Sequence, residues 1–218
     1  SQHRLGLSLL LTGKVGEREP AVDQFLAFAR EQKLSLDQLW LASRAGRPIA
    51  STLIVPSRGR TAMVFSSPLA DHAGIDTLAQ LARQAALAQN TELVGLIQAL
   101  LEPAQQLEHT ALQRAGFTDL AHLIYMRRRS ERRDTPLQLD DGVTTITWHE
   151  QHRKLFERAI TASYEDTLDC PGLLGLRHID DIIAGHMATG VFEPTSWYAF
   201  MHGEEPVGVR LLNRVPQQ

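Results

Sequence analysis

The sequence repeats itself. Trp40-Leu-Ala-Ser-Arg-Ala-Gly46-Arg-Pro48-Ile-Ala50-Ser-Thr-Leu53 returns as Trp197-Tyr-Ala-Phe-Met-His-Gly203-Glu-Glu-Pro206-Val-Gly208-Val-Arg-Leu211, with one extra residue in the turn. The shared pattern is W-x-A-x-x-x-G-x-(x)-P-[IV]-[AG]-x-x-L. A self-similarity of this length constrains the chain to two related units. The first copy is followed by enough chain to complete a domain, whereas the second lies close to Gln218, short of a domain of roughly 100–150 residues. The expected organisation is one whole domain over residues 1–129, a linker over 130–142, and the front part of a second, related domain over 143–218.

Composition narrows the functional classes. A hydrophobic share of 43% with 22% charged residues suits a globular protein with a core rather than a disordered chain. The net charge of -3 argues against a general nucleic-acid binder, which needs a basic surface to neutralise phosphates. Cys170 is the single cysteine, so no internal disulfide can form, and a reducing cytoplasm is the expected setting. Leu5 to Leu11 is apolar but too short to span a bilayer, so no membrane association is expected.

In the first unit, Pro20 is expected to open a helix at Ala21, with Val22, Phe25, Leu26 and Ala29 on one face. Gln38 to Ser43, the turn Arg44 to Pro48, and Ile49 to Val55 read as an antiparallel hairpin. Thr61 to Ser66 is a third strand, and a helix is expected from about Asp76 to Gln89 with Leu78, Leu81, Ala82 and Ala85 on one side. Leu93 to Ala99 reads as a strand, Ala104 to Ala115 as a helix capped by Gly116, and His122 to Arg127 as a last strand. The fold class is therefore α/β (α+β): a mixed, mostly antiparallel sheet flanked by helices, followed by a partial second unit of the same kind.

This order of elements, the W-x-A…G-x-P-[IV]-[AG] hairpin, Phe65-Ser-Ser-Pro68 leading through a loop into a helix, and Leu112-Gln-Arg-Ala-Gly116-Phe117 together resemble the GNAT acyltransferase superfamily. The resemblance covers about Leu34 to Arg127. Ser163 to Pro171 and on through Arg177 look like the opening of the second domain in tandem GNAT proteins related to mycothiol synthase. Such a resemblance implies transfer of an acyl group, usually acetyl, from acetyl-CoA as co-substrate to a small-molecule or peptide amine, with no metal. It also implies where the coenzyme would lie: along the strand residues Val64, Phe65 and Ser66, with its pyrophosphate on the turn at His72, Ala73 and Gly74.

Two departures from the family pattern stand out. The family turn reads Arg or Gln, Gly, any residue, Gly, whereas this chain has Asp71, His72, Ala73, Gly74. Asp71 puts negative charge where the ligand carries phosphate. Many members place a tyrosine shortly before the Gly-Phe pair to protonate the departing thiolate, and Leu112 stands there instead. The first unit is expected to keep the fold without the chemistry, and no catalytic residue is assigned. In the second unit the resemblance places Tyr164, Glu165, Asp166, Asp169 and Arg177 near an acceptor-substrate cleft; the competing reading is that they cap helices and line a turn.

Other motifs read as structural. Trp148-His149-Glu150-Gln151-His152 spaces its histidines three apart, where a helical zinc site needs four, and Thr12 to Gly16 lacks Walker spacing. Arg127 to Arg133 holds five arginines but is followed by acidic residues, which suits a solvated linker. Two functions stay open: a tandem GNAT N-acyltransferase in partial form, and a non-catalytic GNAT-like scaffold or dimerisation module. The second unit is expected either to pack on the sheet of the first or to pair with its counterpart in another chain, giving a homodimer.

Overall fold

The computed structural model describes residues 2–11, 18–31, 34–126, 138–167 and 170–215. The chain divides into two units, Ser1–Thr118 and Asp119–Gln218. Thr12 to Gly16, the arginine run 127–133, most of the expected linker and Asp169 lie outside the described residues.

The first unit is a mixed four-stranded sheet with helices on both faces. Its elements are α1 (Gln2–Leu10), α2 (Arg18–Glu31), β1 (Leu39–Arg44), β2 (Arg47–Ser57), β3 (Thr61–Ser66), α3 (Ile75–Leu87), β4 (Leu96–Gln98) and α4 (Gln106–Ala115). The strands lie in the order β1-β2-β3-β4; the first three are antiparallel and β4 runs parallel to β3. The repeated segment forms the β1–β2 hairpin, with Gly46 at φ 76, a conformation that a side chain would strain.

Alternation along β2 decides which helix covers which face. The Ser51 hydroxyl donates to the Gly6 carbonyl at 2.9 Å, so Ser51 and Leu53 face α1. Gly6 permits that approach, since a Cβ there would lie 2.7 Å from Leu39 Cδ2. Ala50 and Ile54 point the other way, into α3, where Ile75, Leu78, Ala82 and Ala85 are buried. Gly116 ends α4 with φ 102, and the Phe117 N–H donates to the Leu112 carbonyl at 3.0 Å, the left-handed cap expected of Gly-Phe.

Several expectations need correction. All but the last residue of the apolar run Leu5 to Leu11 belong to a helix, α1, that periodicity did not reveal. Helix α2 begins at Arg18, not Ala21, so Pro20 lies within the first turn, where its missing N–H is still harmless. Strand β4 has three residues rather than the seven of Leu93 to Ala99. The expected last strand does not form over its described residues: 122–126 carry no regular structure, and Leu123, Ile124, Tyr125 and Met126 are exposed.

The second unit contains β5 (Val143–Thr147), α5 (Arg153–Ser163), α6 (Ile179–Ala188), β6 (Val191–His202) and β7 (Glu205–Arg214). Strand β5 was not expected. The sheet is antiparallel in the order β5-β6-β7, and the second copy of the repeated segment forms the β6–β7 hairpin. Trp197 is fully buried at the centre of an aromatic cluster, its ring 4.9 Å from Phe192 and 5.3 Å from Trp148 in edge-on geometry. Its indole N–H donates to Asn213 Oδ1 at 2.9 Å, and Asn213 Nδ2 in turn donates to the His186 carbonyl.

The two copies are alike in sequence but not in packing. Trp197 packs with Phe156 and Ile160 of α5 and Ile183 of α6, the two helices that precede its hairpin. Trp40 lies on the opposite side of its own hairpin from α1, against the cluster formed with α3, and is only half-buried.

Helices α5 and α6 are tied together by Arg153, which donates to Asp180 at 2.5 Å and to Glu157 at 2.9 Å. Hydrogen bonding to Arg153 holds the Asp180 carboxyl below its ordinary range. His186 behaves differently: burial, followed by the nearby Arg177 charge, lowers its pKa from the ordinary 6.5. The unfolded chain therefore binds a proton on His186 before the folded unit does, so stability falls as pH drops through about 6.5 and continues to fall down to the lower folded value. Urea midpoints of the unit's transition should decline from pH 7.5 to 5.5, and His186→Gln should flatten that decline. An unchanged slope in the variant would refute the assignment.

Candidate functional site

Strand β3 pairs with β2 over its whole length, from Thr61 opposite Ser57 to Ser66 opposite Thr52. It pairs with β4 only at Thr61, Ala62 and Met63. Beyond Met63 the two strands part, and Val64, Phe65 and Ser66 have no ladder partner on that side among the described residues. A parting of parallel neighbours leaves backbone groups for an extended ligand. Val64 is buried, Ser66 half-buried and Phe65 49% exposed.

The chain then turns through Pro68 to Gly74 into α3. His72–Gly74 forms one turn of 3-10 helix, capped by Asp71, whose Oδ1 accepts the Ala73 N–H at 2.9 Å. That N–H is one the resemblance assigns to a phosphate, and here it is bound by the chain's own carboxylate. The space above Gly74 is likewise taken: a Cβ on Gly74 would lie 2.8 Å from Leu69 Cδ2. Leu69 is held in turn by Glu108, a first-turn residue of α4 that is 5% exposed and accepts the Leu69 N–H at 2.6 Å. An anionic ligand approaching this turn meets a fixed negative charge, an occupied donor and an isobutyl group over the glycine.

Leu112 is 4% exposed within α4, an apolar core residue with no proton to give. In the second unit, Tyr164 is the C-cap of α5 and packs against the aromatic core, while the Glu165 N–H donates to the Ala162 carbonyl. Asp166 adopts φ 52 in the same turn. Arg177 donates to the Asp181 carbonyl at 2.7 Å, at the start of α6. These residues occupy caps and turns.

His149 Nδ1 accepts the Gln151 N–H at 3.3 Å, and His152 Nδ1 lies 3.2 Å from the Thr147 carbonyl, so both rings serve the entry into α5. Among the described residues no three His, Cys, Asp or Glu side chains are grouped to hold a metal ion. No described helix is long and apolar enough to cross a membrane.

No protein-family model matches the sequence, and no curated protein matches it. Among solved structures it is similar to one described as "Putative acetyltransferase from Agrobacterium tumefaciens str. C58", at 20% sequence identity and a TM-score of 0.37, over 54% of this chain and 81% of that one. A likeness this distant says nothing of what the present chain does.

Sequence reasoning picked out Asp71 but missed Leu69 and Glu108. A glutamate three residues into a helix ordinarily signals a capping box, and nothing in its spacing points to a partner in another loop.

Proposed function

We propose that the chain is built on the plan of an acyl-CoA-dependent N-acyltransferase of tandem GNAT type, and that its first unit has kept the plan while losing its grip on the coenzyme. The parting of β3 from β4 at Val64–Ser66 supports the plan. The observation that carries the loss is the self-filled turn, with Asp71 on the Ala73 N–H and Leu69 over Gly74. Acetyl-CoA and an amine acceptor are the substrates such a plan takes. The first unit then acts as a non-catalytic GNAT-like module, and in this reading the acceptor cleft belongs to the second unit, bordered by Tyr164, Glu165, Asp166, Asp169 and Arg177.

Incubating the full chain with acetyl-CoA and a panel of primary amines, and following free thiol, tests this. No release above the buffer blank is expected. Steady release that Leu112→Tyr does not alter but Ser66→Pro abolishes would place chemistry in the first unit and overturn the reading.

A further inference from the structure

Gly74 enters α3 at φ -80 and ψ -16, a conformation any residue adopts, so glycine supplies room there rather than an unusual backbone. The chain fills that room itself. A Cβ on Gly74 would lie 2.8 Å from Leu69 Cδ2 and 3.8 Å from Leu69 Cγ. Leu69 sits midway along a short loop that is pinned at both ends. The Ser67 N–H donates to the Ser51 carbonyl at 2.9 Å, and Asp71 accepts the Ala73 N–H at 2.9 Å. Between them the Leu69 N–H donates to Glu108 Oε1 at 2.6 Å. Glu108 is the one buried charged residue among the described residues, at 5% exposed. A carboxylate held out of water is costly unless it is hydrogen-bonded, so moving the loop would deprive Glu108 of this donor. The bond therefore pins the backbone at Leu69 and, through it, the isobutyl group over Gly74.

We propose that Leu69 is an autoinhibitory plug, that Glu108 is the positioning residue that fastens it, and that the pair bars a diphosphate from the turn independently of the Asp71 charge. The proposal rests on the reading of this turn as a former coenzyme site. Its two parts are separable because the fastening is a backbone bond and the plug is a side chain. Leu69→Ala keeps the N–H that Glu108 accepts and clears the space over Gly74. Glu108→Ala removes the acceptor and leaves the isobutyl group free to move off the glycine. Glu108→Gln removes the charge and keeps a side-chain carbonyl to accept the Leu69 N–H, so it distinguishes the fastening from simple repulsion of an anion. The Leu69 side chain also packs against the cluster of Ile75, Leu78 and Ala111, which gives the plug its seat.

Amide exchange by NMR, on the full chain without ligand, tests the fastening. The Leu69 amide should be protected in the parent and in Glu108→Gln and should exchange about tenfold faster in Glu108→Ala, while the Ala111 and Leu112 amides of α4 stay unchanged. Equal Leu69 exchange in all three proteins would overturn it. Calorimetric titration with inorganic pyrophosphate tests the plug, in the Asp71→Arg with His72→Gly background. Adding Leu69→Ala should tighten binding about tenfold, and Glu108→Ala should bind about tenfold more tightly than Glu108→Gln, which carries the same charge. With Leu69→Ala also present, the two Glu108 variants should bind alike, because Glu108 acts through Leu69. Equal binding by the two Glu108 variants with Leu69 in place would overturn the latch alone. Absence of pyrophosphate binding in every variant, with the Leu69 amide responding to Glu108 as expected, would overturn the coenzyme-site reading of the turn and the plug's role with it.

Discussion

Trp197→Ala is expected to destabilise the second unit by about 3–5 kcal/mol, the range for removing a large aromatic side chain from a core. The indole is fully buried, touches the rings of Trp148 and Phe192, and satisfies Asn213, whose amide also serves the His186 carbonyl. The alanine variant leaves a cavity and strips Asn213 of one partner, and the two losses act in the same direction. Urea unfolding followed by circular dichroism should show a transition at much lower denaturant than the parent's. Trp40→Ala, at the equivalent place in the other copy, should cost less because that indole is half-buried. Equal losses would contradict the packing described for the two hairpins.

The second large effect is a gain. Asp71→Arg combined with His72→Gly should raise affinity for acetyl-CoA at least about tenfold, equivalent to about 1.4 kcal/mol. The change removes a carboxylate from the ligand's path, frees the Ala73 N–H now bound at 2.9 Å, and supplies a cation able to pair with phosphate. Loss of the Asp71 cap should lower stability by about 1 kcal/mol, so a melting curve belongs beside the titration. A folded variant with no gain would show that Leu69, rather than Asp71, closes the turn.

Much of the first unit was legible because its signals are local. Thr61 to Ser66 is β3 with the bounds expected, and Gly116 caps α4 with the left-handed φ that Gly-Phe foretold. What was missed depends on distant partners. Helix α1 is stabilised by contact with β1 and β2 through the small Gly6, and an apolar run that short carries no periodic signature of its own. His122 to Arg127 has the composition of a strand, yet composition alone does not supply a neighbour to pair with. The repeat predicted two related hairpins but not that Trp40 and Trp197 would face opposite sides relative to the preceding helices. At the site, the charge of Asp71 could be read from the sequence. That its carboxylate would cap Ala73, with Glu108 holding Leu69 over Gly74, depends on a fold that brings α4 beside the turn.

The central claim is that the turn between β3 and α3 is filled by the chain's own side chains and does not hold a coenzyme. Isothermal titration of acetyl-CoA into the full chain tests it most directly. The account predicts no saturable heat, with any dissociation constant weaker than about 1 mM. A dissociation constant in the micromolar range, about -8 kcal/mol, that Asp71→Arg with His72→Gly failed to improve and Ser66→Pro abolished, would contradict it.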